Sequence, residues 1–226
     1  MDVILRNFPY MMRGLELTII LASLSLVGSF IGGTLLAVLR MSPWWWLRWP
    51  AILYIDVVRM IPLVMVIFWV FFLIPILTGR PVTPLVAALA ALIGFNSSYM
   101  AEVVRAGIQT VPKGLVEAAR SSGLNHLQAM TRIVLPIAFK NMLPAIVSRF
   151  IALFMGTSLA YIIGATEFFR AANDINNRVF RPYEIYTFVA VVYFVFCYAL
   201  SLLGRLLEHR LSRGQQPISG ERITSA

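Results

Sequence analysis

Hydrophobic residues fall into five long blocks along this chain, at about 15–39, 52–77, 82–104, 142–165 and 184–207, with polar or basic intervals between them. A helix that crosses the hydrocarbon core of a bilayer needs roughly 20 mostly apolar residues, and every block reaches that length. Each block also carries Gly, Ser or Thr, which allow close helix–helix approach in lipid; Gly28, Gly32 and Gly33 in the first block are examples. The pattern predicts an all-α polytopic membrane protein with about five transmembrane helices. No Gly/Ser-rich linker, low-complexity tract or internal repeat divides the chain, so 1–226 reads as one domain with a core at 14–207 and a tail at 208–226.

One interval, 105–140, is too long and too polar for a simple turn. Pro112 presets φ at a helix entry, and residues 114–122 suit a short helix that Gly123 can end in a left-handed cap. Asn125 can open the next helix, with Gln128 three residues on in capping-box spacing. Pro136 is expected to close that second piece before the fourth block begins. Glu117 can hold Arg120 one turn on, Ala118 and Ala119 keep the helix surface flat, and a Cβ at position 123 would obstruct the turn. The prediction is a helix, a tight turn and a helix lying across one membrane face.

Composition supports lipid as the solvent. The chain is 59% hydrophobic and 13% charged, with a mean hydropathy of +0.81, whereas soluble domains carry about 25% charged residues. The formal charge of +9 does not imply nucleic acid, because the basic residues lie mainly between the apolar blocks, where topology explains them. With the N-terminus outside, 13 basic residues fall on the inner segments and 6 on the outer ones. Basic loops favour the cytoplasmic side, so the orientation is N-out/C-in and the 105–140 interval faces the cytoplasm. Trp44, Trp45, Trp46 and Trp49 sit between the first two blocks as headgroup-level anchors. The N-terminus has no apolar core followed by a small-residue cleavage site, so no cleaved signal peptide is expected.

Several chemistries are excluded. No G-x-x-x-x-G-K-[ST] phosphate loop is present, and Lys113 and Lys140 are the only lysines. His126 and His209 fall in cytoplasmic segments, away from any intramembrane serine. Cys197 stands alone in an apolar run as a buried, inert thiol, and no His/Cys/carboxylate set has metal-ligand spacing. Nothing here is catalytic, and no cofactor is expected on this chain.

Polar groups inside the blocks are the candidates for a transport pathway, since each is costly in hydrocarbon unless satisfied. Asn96, Ser97, Ser98, Tyr99 and Glu102 cluster in the third block, Ser98 and Glu102 on one helical face. Arg149 and Thr157 share a face of the fourth, with Ser158 beside Thr157. Arg149 lies about 12 Å past Asn141 along a helix, at inner-leaflet depth. There it can receive a substrate carboxylate or serve structurally, against Glu102 or lipid phosphates. For Asn96, Ser97, Ser98, Thr157 and Ser158 the alternative is hydrogen bonding within and between helices. Arg59 suits either stabilising the start of the second helix or lining a vestibule. In 167–181, Phe168, Ala172, Ile175 and Val179 fall on one face, which predicts an interfacial helix on the outer surface.

The sequence from Glu117-Ala118-Ala119 through Gly123 to Ile133-x-Leu135-Pro136 resembles the EAA loop of ABC importer permease subunits, the segment that docks on the cytoplasmic ATPase. Arg59-Met60-Ile61-Pro62-Leu63, Glu102-Val103-Val104-Arg105-Ala106-Gly107-Ile108 and Thr157-Ser158-Leu159 resemble further signatures of the polar amino acid permeases. Ile61–Val66 and Glu167–Arg170 look most like the glutamate/aspartate subgroup. The resemblance covers about Gly14 to Leu207. It departs at Gly156, where many relatives carry an acid before T-S-L, so any role of that acid is not carried over.

The resemblance implies that Leu115, Glu117, Ala118, Ala119, Arg120 and Gly123 couple to the ATPase. It makes Glu167, Phe168, Arg170 and Arg178 candidates for an outer gate or binding-protein docking surface. It also implies a bacterial inner-membrane assembly with an ATPase dimer that uses ATP and Mg, a second permease chain (a paralogue or an identical copy) and an external substrate-binding protein. Polar amino acids, acidic ones favoured, would be the cargo. The competing readings are an ion-coupled carrier built on Glu102, an intramembrane enzyme and a non-transporting scaffold.

Overall fold

The computed structural model describes residues 2–212; Arg213, Arg222 and the greater part of the expected tail lie outside the described residues. Among those residues the chain is helical throughout, with α1 at Asp2–Arg40, α2 at Trp45–Met60, α3 at Leu63–Thr78 and α4 at Pro84–Gln109. After them come α5 at Lys113–Ser121, α6 at His126–Ala129 and α7 at Leu135–Gly156, then α8 at Phe168–Val179 and α9 at Pro182–Ser212. A π segment, Met130–Val134, joins α6 to α7, and a 3₁₀ segment, Thr157–Ile163, follows α7. Four helical runs are long and apolar enough to cross a membrane, and a bent pair makes up to five.

That bent pair corrects the second predicted span. Residues 52–77 are not one helix; α2 and α3 meet at 111°. The cause is local. Pro62 disfavours helical geometry in the residue before it, and Ile61 is extended at φ −96, ψ 136. The first span is longer than predicted. At 39 residues α1 extends about 58 Å, well beyond a hydrocarbon core of roughly 30 Å.

The fourth span brings a second correction. Pro136 does not end a helix, because His126–Ile163 forms one run of 38 residues. Pro136 sits in the first turn of α7, where its missing N–H is accommodated by the π segment. Residue 207 is likewise not an end, since α9 continues to Ser212.

The bundle core is the pairing of α1 with α4. Gly33 permits it, since a Cβ there would lie 2.9 Å from both the Ala101 nitrogen and the Ser97 carbonyl oxygen. These are backbone atoms that cannot swing aside. Helix α8 packs into the bundle instead of lying on its surface. Phe168, Ala171, Ala172 and Ile175 are buried, Phe168 and Ile175 in one cluster with Met11 and Leu15 of α1 and Ile185 and Val189 of α9. Val179, predicted on the same face, is exposed. The tryptophans at 44, 45, 46 and 49 are all exposed, as headgroup anchors require.

Candidate functional site

Arg40, Arg59, Glu102 and Arg105 gather at one end of the bundle, where α1, α2 and α4 finish. Glu102 is the hub. Its carboxylate accepts from Arg40 at the end of α1 and from Arg105 one turn on, at 2.8 Å. Arg59, at the end of α2, lies 3.6 Å away, and Arg40 also reaches Asp56 at 3.8 Å. Glu102 is therefore the centre of an ion-pair network tying three helix ends together, and it is not paired with Arg149. Its neighbour on the same helical face, Tyr99, carries the second half of the site. The guanidinium carbon of Arg149 on α7 lies 4.2 Å from the Tyr99 ring centroid, and that of Arg59 lies 5.2 Å away. A cation over an aromatic face is attracted by the ring quadrupole.

Arg149 thus differs from the other cations at this end. Its Nε is buried without a hydrogen-bond partner, and its closest companion is a ring, not a carboxylate. Removal from water makes such a group receptive to an anion that presents two oxygens.

The other pathway candidates are occupied locally. Asn96 donates to the Leu92 carbonyl at 2.9 Å, Ser98 to Phe95 at 2.6 Å, Thr157 to Phe154 at 2.7 Å and Ser158 to Met155 at 2.7 Å. Asn96, Ser98 and Thr157 are buried. Their hydrogen bonds keep polar side chains satisfied on their own helices, the alternative considered from sequence. Arg40 and Arg105 were not among the expected site residues, and Tyr99 was expected only as a member of the polar cluster, without its role under Arg149. The signal for Tyr99 was its three-residue spacing from Glu102, which places both on one face.

The 105–140 interval folds largely as expected. Pro112 precedes α5, and Gly123 takes φ +84 in the turn. Asn125 and Gln128 complete a reciprocal capping box. Three details differ. Arg120 contacts Nδ1 of His126 at 3.0 Å instead of turning to Glu117. Ala119 is buried while Leu115, Glu117, Ala118, Arg120 and Gly123 are exposed, so of the predicted coupling residues Ala119 alone presents no surface to a partner. Open space surrounds Gly123; its requirement is the left-handed φ, not crowding.

The outer segment also departs from expectation. Glu167 and Phe168 have no exposed surface, which rules out direct docking through them in this conformation. Glu167 caps α8, accepting from the Phe169 and Arg170 backbone N–H groups at 2.8 and 2.7 Å. Arg170 pairs with Asp174 at 3.0 Å, and Arg178 is exposed. Burial raises the Glu167 carboxyl to about 7, against the lowering effect of the two N–H donors.

Comparison with known proteins agrees with this architecture. The model of the family described as binding-protein-dependent transport system inner membrane component matches residues 25–213. The glutamate/aspartate import permease protein GltK of Escherichia coli O6:H1 is 36% identical over 214 residues, covering 92% of this chain and 96% of its own. The probable glutamine ABC transporter permease protein GlnM of Bacillus subtilis is 33% identical over 212 residues, covering 94% and 98%. A solved amino acid ABC transporter superposes with a TM-score of 0.86 at 32% identity, covering 92% of this chain and 96% of that one. The MetNI methionine transporter, at 18% identity and a TM-score of 0.76, shares the fold. With the family matched across most of its length, the chain belongs to the inner-membrane components of binding-protein-dependent transport systems, the permease subunits of ABC importers.

Proposed function

We propose that this chain is the permease subunit of an importer for polar amino acids, and that glutamate and aspartate are its favoured cargo. The observation that carries the acidic preference is the state of Arg149. It is a partly buried guanidinium with an unpartnered Nε, held on Tyr99, while Glu102 is already committed to Arg40, Arg59 and Arg105. Likeness to a glutamate/aspartate permease supports the same choice. Likeness to a glutamine permease makes the α-carboxylate, common to all amino acids, the competing ligand for Arg149.

The importer works by alternating access. A partner ATPase dimer binds ATP and Mg, closes, and pulls the α5–α6 hairpin through Leu115, Glu117, Ala118 and the turn at Gly123. The bundle then rocks against a second permease chain, a paralogue or an identical copy, while an external binding protein delivers the substrate. The two orientations are favoured by different ligands, which is what gives ATP leverage over the cycle. This chain contributes the path and its partner the hydrolysis.

The test is uptake by the complete transporter in proteoliposomes, with labelled glutamate, aspartate and glutamine. Arg149→Gln is expected to lower acidic amino acid uptake about tenfold, the equivalent of ~1.4 kcal/mol, and glutamine uptake far less. Equal loss for glutamine assigns Arg149 to the α-carboxylate. Unchanged glutamate uptake removes Arg149 from the pathway.

A further inference from the structure

The run His126–Ile163 is continuous but not uniform, because its turn at Met130–Val134 is a π turn. Here the Leu135 N–H donates to the Met130 carbonyl, five residues back instead of four. Pro136 comes next. A proline inside a helix offers no N–H, and its ring collides with the carbonyl four residues earlier, which is that of Arg132 in the middle of the π turn. The widened turn makes room for the ring, and so the run continues unbroken. Thr131 reinforces it, donating its hydroxyl to the Leu127 carbonyl at 2.8 Å.

Position gives this turn mechanical meaning. On one side it touches α5 and the capped start of α6. On the other, Val134, Ala138 and Met142 are buried in one cluster with Ala101, Val104 and Val111. Every path along the chain from the α5–α6 hairpin into α7 passes through it. Arg149 lies about 20 Å further along α7. One residue of helix corresponds to about 100° of rotation, so gain or loss of the π turn changes the phase of α7 against the hairpin. Such turns occur mostly singly within α-helices and often at functional sites.

We infer that Pro136 is a positioning residue for transport: it biases Met130–Val134 toward the π turn without locking it there, and this turn is the joint at which hairpin motion becomes rotation of α7. Exchange between i→i+5 and i→i+4 hydrogen bonds in the segment takes up the movement. The inference rests on the docking role proposed for the hairpin, and it is independent of the substrate.

Hydrogen exchange read by mass spectrometry on the full transporter in nanodiscs tests it, in nucleotide-free and ATP-trapped states. Amides of 130–137 are expected to exchange several-fold differently between the two states. Pro136→Ala, which restores an N–H able to reach the Arg132 carbonyl, is expected to erase that difference. The variant should still hydrolyse ATP while uptake falls at least about fivefold, within the range of ordinary coupling energies. Identical exchange at 130–137 in both states overturns the joint, as does wild-type uptake by the variant. If Pro136→Ala does not assemble, the wild-type comparison decides alone. Docking is read separately, as protection of 113–123 by the ATPase. Protection there without change at 130–137 removes the joint and leaves docking intact, whereas no protection at 113–123 overturns the docking role and the joint with it.

Discussion

Arg149 and Tyr99 meet as cation and ring, the guanidinium carbon 4.2 Å from the ring centroid, and this contact joins α7 to α4 beside the Glu102 network. Tyr99 also donates its hydroxyl to the Arg59 carbonyl at 3.4 Å, a long bond. The ring face is therefore the stronger part of its role.

The variants Tyr99→Phe and Tyr99→Leu separate face from hydroxyl. Phe keeps the face, so uptake kinetics are expected to stay near wild type. Leu removes the platform beneath Arg149, and a desolvated cation–π contact is worth about 2 kcal/mol. KM for carboxylate-rich substrates is expected to rise about thirtyfold. Matching KM values for the two variants would count against the platform.

Glu102 makes a different prediction, one of stability. Three arginines converge on a carboxylate whose side chain is 19% exposed. Removing one partner of a buried pair leaves uncompensated charge and costs about 3 kcal/mol or more; partial exposure brings the expected loss for Glu102→Gln below that. Thermal unfolding of the assembled transporter should show a clear drop in Tm. Arg40→Gln added to Glu102→Gln should recover part of it, because the two residues contact each other. Additive losses would mean that the network is not a unit.

How much of this was legible in sequence depends on the range of the forces involved. Block length sets membrane spans, and the short-range chemistry of Pro112, Gly123, Asn125 and Gln128 sets the hairpin, so both could be read without tertiary information. The break at Ile61–Pro62 was also local, but an apolar run that continues across it conceals it. Pro136 misled for the opposite reason. A proline normally ends a helix, and only a π turn with buried flanks at Val134 and Ala138 lets the helix pass. That Arg149 meets the Tyr99 ring and not Glu102 was beyond reach, because it depends on how α1, α2, α4 and α7 pack. The same holds for α8, whose amphipathic face suits a membrane surface and a bundle core equally well.

Gly123 tests the hairpin without touching the bundle. Its φ of +84 is unfavourable for any residue with a Cβ, by roughly 1–2 kcal/mol, and nothing lies near enough to clash. Gly123→Asp is expected to insert and assemble while losing ATP-coupled uptake. Gly123→Asn, which tolerates left-handed geometry better, should retain more. The measurement is uptake per ATP hydrolysed; equal coupling in both variants would detach the turn from force transmission.

Glu167 links protonation to stability, and the sign follows from its raised carboxyl. The side chain is fully buried at the N-cap of α8, and the Thr18 hydroxyl accepts the Phe168 N–H beside it at 3.0 Å. Unfolded, a glutamate titrates near 4.5; folded, burial moves this one to about 7. Between those values the folded state binds more protons than the unfolded one, so stability falls as pH rises through that window and levels off above it. The loss is on the order of 3 kcal/mol at most. Glu167→Gln cannot ionise and keeps one oxygen acceptor, enough for one of the two N–H groups of Phe169 and Arg170, so its Tm starts lower but no longer follows this titration. Tm measured from pH 5 to pH 8 in nanodiscs should decline for the wild type and stay flatter for Glu167→Gln. Parallel declines for the two proteins would show that another group sets the pH dependence and that Glu167 stays in one protonation state across the window.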